Sequence, residues 1–162
     1  MDSRSKYCGN DRREGNVLMF RGRFEHTIDA KGRLSIPVKF RDVLSETYDT
    51  RLVVTTYDGC LMAYPFKEWK ILEERIAGLS EFKKDARAFL RFFYSSAADC
   101  PIDRLGRILV PQSLRAYAKL EKEVMLVGAF KQFEIWSKPM WQAAESAASR
   151  DDIGNMLERL GI

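Results

Sequence analysis

Residues 20–28, FRGRFEHTI, alternate in polarity: Phe20, Phe24, His26 and Ile28 share one face, and Arg21, Arg23, Glu25 and Thr27 share the other. A period of two predicts a half-buried strand. RLSIP at 33–37 resumes the alternation, with Leu34 and Ile36 turned inward. The intervening DAKG reads as a tight hairpin loop. Asp29 at its first position bonds backbone amides, and Gly32 at its fourth takes the left-handed conformation that completes the turn. Pro37 holds Ile36 extended and suits the start of a helix, so VKFRDVL follows as a short helix with Phe40, Val43 and Leu44 on its apolar side. Two strands at 51–56 and 60–65 flank the turn signal YDG. Trp69, Leu72, Ile76 and Leu79 then recur at helical spacing, and a further helix over 83–94 buries Ala86, Phe89, Leu90 and Phe93.

The same plan then runs a second time. IDAKGRLSIPVKFR at 28–41 and IDRLGRILVPQSLR at 102–115 share six of fourteen residues, where roughly one is expected by chance from residue frequencies. With the offset changed from 74 to 72, residues 52–69 align with 124–141, and both stretches read as strand, turn, strand, aromatic, helix. PQSLRAYA, WQAAESAA and DIGNMLERL supply the remaining helices. Two related halves are expected, 19–95 with a helical insert and 96–162 with C-terminal helices. One β-α-β unit of this size leaves its strands exposed. Two copies that interleave their hairpins close into one small barrel and remove the free edges. The fold class expected is therefore α+β, mainly a β barrel with peripheral helices, built as a pseudo-dimer within one chain. Residues 1–18 show no period and are expected to be a disordered extension, or sequence upstream of a more natural start at Met19.

Composition changes this picture little. The chain has 162 residues, 46% hydrophobic and 31% charged, as in ordinary globular proteins. Its longest apolar run, VMLVGAF at 124–130, falls far short of the roughly 20 residues that span a bilayer, and residues 1–20 carry charges without an apolar core, so a secretory signal is not expected. A cytoplasmic protein without a membrane partner is expected. Cys8, Cys60 and Cys100 are widely spaced and His26 is the sole histidine; this spacing offers neither a disulfide framework nor a zinc site. No phosphate-binding glycine loop and no nucleophile paired with a base are evident. The expectation is a non-enzyme with no cofactor, no metal and no small-molecule substrate. A net charge of +4 and a pI of about 9.0 permit a nucleic-acid partner without demanding one.

With these residues assembled, the sequence resembles the MraZ family of bacterial DNA-binding regulators. MFRG at 19–22, IDAKGRLSIPVKFR at 28–41, YPFKEW at 64–69, DRLGRILVPQSLR at 103–115 and EVMLVGAFKQFEIW at 123–136 carry the resemblance. The doubled D-x-x-G-R hairpin is the specific part. The resemblance implies a swapped-hairpin, AbrB-like, double-psi-type barrel fused from two halves, and a homo-oligomer that forms a ring. It also implies binding to repeated double-stranded DNA sites ahead of the division and cell-wall gene cluster, its own gene included, with a cytoplasmic, nucleoid-associated location. The family's DNA-contacting Arg maps to Arg33 and, in the second copy, to Arg107. The second hairpin has Leu105 where the first has Lys31, and its charge moves one place earlier, to Arg104.

The residues themselves support a basic ribbon. Arg21, Arg23 and Arg33 occupy odd positions on strands whose even positions are apolar, with Lys31 at the tip between them. A two-stranded ribbon fits the major groove, and Arg makes the commonest specific contact, bidentate to guanine. Taken alone, D-x-x-G is a common turn and an Arg after it is usually a solvated charge. Asp29 and Asp103 read as turn formers that also orient the following Arg, and Gly32 and Gly106 as conformational requirements. Arg41 and Arg115 repeat as well, beside the core, where a structural ion pair or carbonyl contact is expected. Lys83, Lys84, Arg87 and Arg91 read first as a solvated helix face, and otherwise as a contact to phosphates outside the specific site or to a neighbouring subunit's acidic residues. Two rival functions stand beside a sequence-specific regulator: an antitoxin-like protein-interaction module of the same fold, and a nuclease.

Overall fold

The computed structural model describes residues 18–162, so the expectation for 1–18 falls, Leu18 apart, outside the described residues. The first copy supplies β1 (Arg23–Thr27), β2 (Arg33–Ser35), α1 (Val38–Thr47), β3 (Leu52–Tyr57), β4 (Cys60–Pro65) and α2 (Phe66–Ile76). Next come α3 (Lys84–Phe89), which runs on into a π-helical turn (Leu90–Tyr94), and β5 (Ala98–Asp99). The second copy continues with β6 (Arg107–Leu109), α4 (Gln112–Tyr117), β7 (Glu123–Ala129), β8 (Gln132–Ser137), α5 (Lys138–Ser146) and α6 (Arg150–Arg159). Among the described residues, no helix is long and apolar enough to cross a membrane.

Proline starts three of these helices. Pro37, Pro65 and Pro111 stand immediately before α1, α2 and α4 with ψ of 143°, 144° and 151°. An extended proline ends the preceding strand and lends its carbonyl to the first helical turn. The two C-terminal helices use serine instead: Ser137 and Ser149 accept from the amides of Met140 and Asp152, each at 3.2 Å.

The strands form an antiparallel sheet in the order β1-β7-β8-β4-β3-β5, with β2 and β6 paired separately. The pairing crosses between the copies. β1 pairs with β7, β5 with β3, and β4 with β8. At the centre Met62 faces Glu134, and in the ribbon Leu34 faces Ile108. These partners are 72 and 74 residues apart, the offsets that align the repeats, so a pseudo-twofold axis passes through both pairs. Duplication thus yields an intramolecular dimer.

One expectation is corrected. The six-stranded sheet ends in two edge strands, β1 and β5, and does not close into a barrel. β2 and β6 are three residues long and pair only with each other, apart from a single bridge between Ile28 and Leu34. Strands that short cannot seam a sheet to itself, and the ribbon instead presses Leu34 and Ile108 onto the sheet as a second layer. The strand at 20–28 is also interrupted. Gly22 takes φ of 110°, and Phe20 makes its own bridge to Phe130.

Phe40, on the inner side of α1, joins the layers. Its ring lies 5.4 Å edge-on from Phe20, 5.1 Å from Phe24 and 4.9 Å from Phe133, and Leu34, Ile108, Leu126 and Ile135 complete the buried cluster. The expected inner residues Leu34, Ile36, Phe40, Val43 and Leu44 are all buried. A second aromatic stack caps the outer end: Trp69 lies 6.0 Å from Phe93 and 5.7 Å from Tyr94. Thr55 donates to the carbonyl of Phe93 at 2.6 Å and Thr56 to that of Phe92 at 3.0 Å. Both carbonyls belong to the last turn, so the threonines of β3 cap the C-terminal end of this helix.

Each hairpin is locked by the other copy. The amide of Val110 donates to Gly32 at 2.8 Å, and that of Ile36 donates to Gly106 at 2.9 Å. Arg115 packs over Gly32 and Arg41 over Gly106, leaving no room for a Cβ: at Gly32 it would meet the Val110 carbonyl at 2.6 Å, and at Gly106 the Arg41 guanidinium at 2.7 Å. Both glycines have positive φ, 91° and 77°. Gly32→Ala is expected to lose at least about 1–3 kcal/mol from backbone strain alone, read as a lower urea midpoint. Gly106→Ala meets a movable side chain rather than backbone and is expected to lose less.

Candidate nucleic-acid interface

The two D-x-x-G-R turns share one geometry. In the first, the Gly32 amide donates to the Asp29 carbonyl at 3.0 Å, and the Asp29 carboxylate accepts from the amides of Lys31 and Arg33 at 3.0 and 2.9 Å. Its other oxygen accepts from Arg33 Nε at 2.6 Å. In the second, the Asp103 carboxylate accepts from the amides of Leu105 and Arg107 at 2.8 and 3.0 Å, and from Arg107 Nε at 3.4 Å. Amide donation from the following Arg, with help from its guanidinium, holds both carboxyls below the usual carboxylate range. Each Asp thereby shapes the turn and aims the Arg. Nε is the nitrogen engaged, and the Nη groups of both arginines have no protein partner among the described residues, so their donors stay available.

Pairing of β2 with β6 places Arg33 opposite Leu109 and Arg107 opposite Ser35. All four side chains lie on the ribbon face opposite the buried Leu34 and Ile108. Arg33 and Arg107 are diagonal neighbours there, with Cα atoms about 7–8 Å apart, and the side chain of Arg33 is 42% exposed against 31% for Arg107. Exposed Lys31 and Arg104 mark the two turn tips, at opposite ends of the ribbon. Each end carries one basic tip and the middle carries two arginines.

Other sequence-derived candidates go elsewhere. Arg23 donates to Glu145 at 3.2 Å and lies 5.2 Å over the ring of Trp141, so it is committed to α5. Arg21 is exposed but eight residues from Asp29, roughly 25 Å of extended chain. β1 belongs to the six-stranded sheet and β2 to the separate pair with β6, so the single basic ribbon expected from odd numbering does not form. Arg41 and Arg115 make the expected carbonyl contacts, to Ile36 at 3.1 Å and Val110 at 3.0 Å. Sequence reasoning missed that each also braces the opposite copy's hairpin, as in the 3.4 Å bond from Arg115 to the Ala30 carbonyl. It also missed Ser35 and Leu109, whose relevance depends on cross-copy pairing. His26 donates from Nδ1 to the Ser35 carbonyl at 2.8 Å, fastening the ribbon to β1. Among the described residues, no group of three His, Cys, Asp or Glu side chains could hold a metal ion.

The family model described as "MraZ protein, putative antitoxin-like" matches residues 19–92 and again 93–160. The chain belongs to the MraZ family. It is 49% identical over 143 residues to the Transcriptional regulator MraZ of Ligilactobacillus salivarius, covering 86% of this chain and 98% of the relative. It is 46% identical over 141 residues to the Transcriptional regulator MraZ of Lactiplantibacillus plantarum, with the same coverage. The Transcriptional regulator MraZ of Caldicellulosiruptor saccharolyticus is 44% identical over 146 residues, covering 89% of this chain and all of the relative. Each stretch that matches the MraZ model contains one D-x-x-G-R hairpin followed by a helix led by proline.

The depressed carboxyls have a sign that can be checked. The Asp29–Arg33 and Asp103–Arg107 contacts are complete above the ordinary carboxylate pKa, about 3.9, and are lost as pH falls through the lower folded value. A carbon-detected NMR titration is expected to place both midpoints below that of an exposed Asp, with that of Asp29 rising in Arg33→Ala.

Proposed function

We propose that this chain is a sequence-specific DNA-binding transcriptional regulator, reading base edges with Arg33 and Arg107. The observation that carries the proposal is the diagonal pair itself. Two arginines stand on one ribbon face, each held through Nε by the Asp of its own turn, each with its Nη donors unengaged by the protein. Bidentate recognition of guanine needs such a fork. Lys31 and Arg104 at the tips are suited to phosphates, which position a protein without specifying sequence. Arg21 and Arg23 take at most a supporting part on flanking backbone.

Family membership extends this reading. The two stretches divide near residue 95 into swapped-hairpin halves. Several subunits in a ring present their ribbons to repeated sites ahead of the division and cell-wall gene cluster, its own gene included. One ribbon spans few bases, so useful affinity comes from several engaged together. A regulator of this kind works in the cytoplasm, at the nucleoid. The antitoxin-like description and the exposed Leu105 and Leu109 favour a second reading, a protein-interaction module, whose partner binding would depend little on salt.

Footprinting on DNA upstream of its own gene tests the assignment. Arg33→Ala is expected to lose protection, at about 1–3 kcal/mol per bidentate contact, while the fold is retained, and Arg107→Ala to weaken it. Normal protection by Arg33→Ala at moderate salt would rule Arg33 out as the reading residue. Binding that ignores salt would favour the protein-interaction reading.

A further inference from the structure

Leu109 stands where the ribbon's own architecture does not ask for an apolar side chain. It lies on the same ribbon face as Arg33, Ser35 and Arg107 and is 58% exposed. Its counterpart in the first copy, 74 positions earlier, is Ser35, which pairs opposite Arg107 as Leu109 pairs opposite Arg33. On the inner face the two copies agree in character, since Leu34 and Ile108 are both apolar and buried. The fold accepts a small polar residue at the outer position, so packing does not account for the leucine. Single exposed leucines are ordinary on protein surfaces, and the neighbours of this one decide what it means.

Those neighbours are cations. Val110 donates to Gly32 and Ile36 to Gly106, which makes 32 with 110 and 36 with 106 the hydrogen-bonded pairs of the ladder. Alternation along an antiparallel ladder then makes Arg33 and Leu109 a non-hydrogen-bonded pair, with Cα atoms about 4.5 Å apart and side chains close together. Arg107, two residues away on the same strand, lies on the same face. A leucine cannot donate to a phosphate. In the major groove the apolar feature is the C5-methyl of thymine, as the guanine edge is the feature that suits Arg. Successive bases on one DNA strand rise about 3.4 Å, close to the spacing of the Arg33–Leu109 pair. When Arg33 reads one base, the adjacent base step therefore lies beside Leu109.

We propose that Leu109 is a specificity-determining residue that packs against the methyl group of a thymine adjacent to the guanine read by Arg33. This inference rests on the reading of Arg33 above and extends it to a second base. Ser35 carries a hydroxyl that bonds to several bases and makes no such choice beside Arg107. Each ribbon therefore selects a thymine on one side only. Burial of one methyl group changes affinity by a factor of about four.

Replacing thymine with deoxyuridine removes that methyl and keeps the base pair. The probe is the duplex from upstream of the chain's own gene that footprinting protects, with its thymines replaced one at a time. Affinities for wild type and Leu109→Ser are measured by fluorescence anisotropy at fixed salt. The variant carries the residue that the first copy already has at this place, so unchanged circular dichroism is expected. Wild type is expected to lose about fourfold in affinity at a thymine adjacent to the guanine that Arg33 reads. Leu109→Ser is expected to bind the unmodified duplex about fourfold more weakly and to be indifferent to deoxyuridine at that thymine. A change in the duplex itself would weaken both proteins alike, and the comparison separates it from a lost contact. Wild type that tolerates deoxyuridine at every position would overturn the proposal, as would equal sensitivity in Leu109→Ser. In either case guanine reading by Arg33 would stand. Wild type that protects no duplex would remove the reading of Arg33 and this inference with it.

Discussion

Everything in this molecule depends on the exchange of backbone hydrogen bonds between its two turn glycines and the strand ends of the opposite copy. Val110 donates to Gly32 and Ile36 to Gly106, while Arg115 and Arg41 pack over the spaces where side chains would otherwise be. Buried backbone groups must find partners, and here the carbonyl of each turn glycine finds its partner in the other copy. That explains the duplication better than a demand for more core does. A single copy would leave its ribbon unpaired and its Phe40-bearing helix without a second layer to cover.

The same lock explains where the functional charges stand. The Asp of each turn is needed to bind amides, and the same carboxylate then reaches the Nε of the next Arg. Turn chemistry and side-chain orientation therefore come from one residue. Antiparallel pairing of Leu34 with Ile108 brings the two arginines together, although they lie 74 positions apart in the chain. The hairpins depart from symmetry at Ala30 against Arg104, Lys31 against Leu105 and Ser35 against Leu109. They give the ribbon a direction that a symmetric dimer would lack.

Local patterns in the sequence foretold local structure well. Alternation marked β1, Asp and Gly marked the turns, and Pro37 and Pro111 marked α1 and α4, because each of these depends on neighbours within a few positions. The inward faces followed for the same reason. What depends on distant partners was not legible. Odd numbering put Arg23 beside Arg33, but Glu145 and Trp141 hold it, and nothing near residue 23 announces residues more than a hundred positions away. The closed barrel failed similarly: interleaving was anticipated, but the brevity of β2 and β6, which keeps the ribbon separate, emerges only from their packing. The capping of the helix end at Phe92 and Phe93 comes from threonines in β3, which helical periodicity does not register.

The central claim is that Arg33 reads bases rather than merely adding charge. Its most direct test is the ratio of affinities for a promoter repeat and a scrambled duplex of equal length, followed across salt for Arg33→Lys. Lysine keeps the charge but removes the fork and the Nε contact to Asp29. The account predicts a ratio that collapses toward one while the dependence of binding on salt stays nearly unchanged. A ratio equal to that of wild type would contradict it.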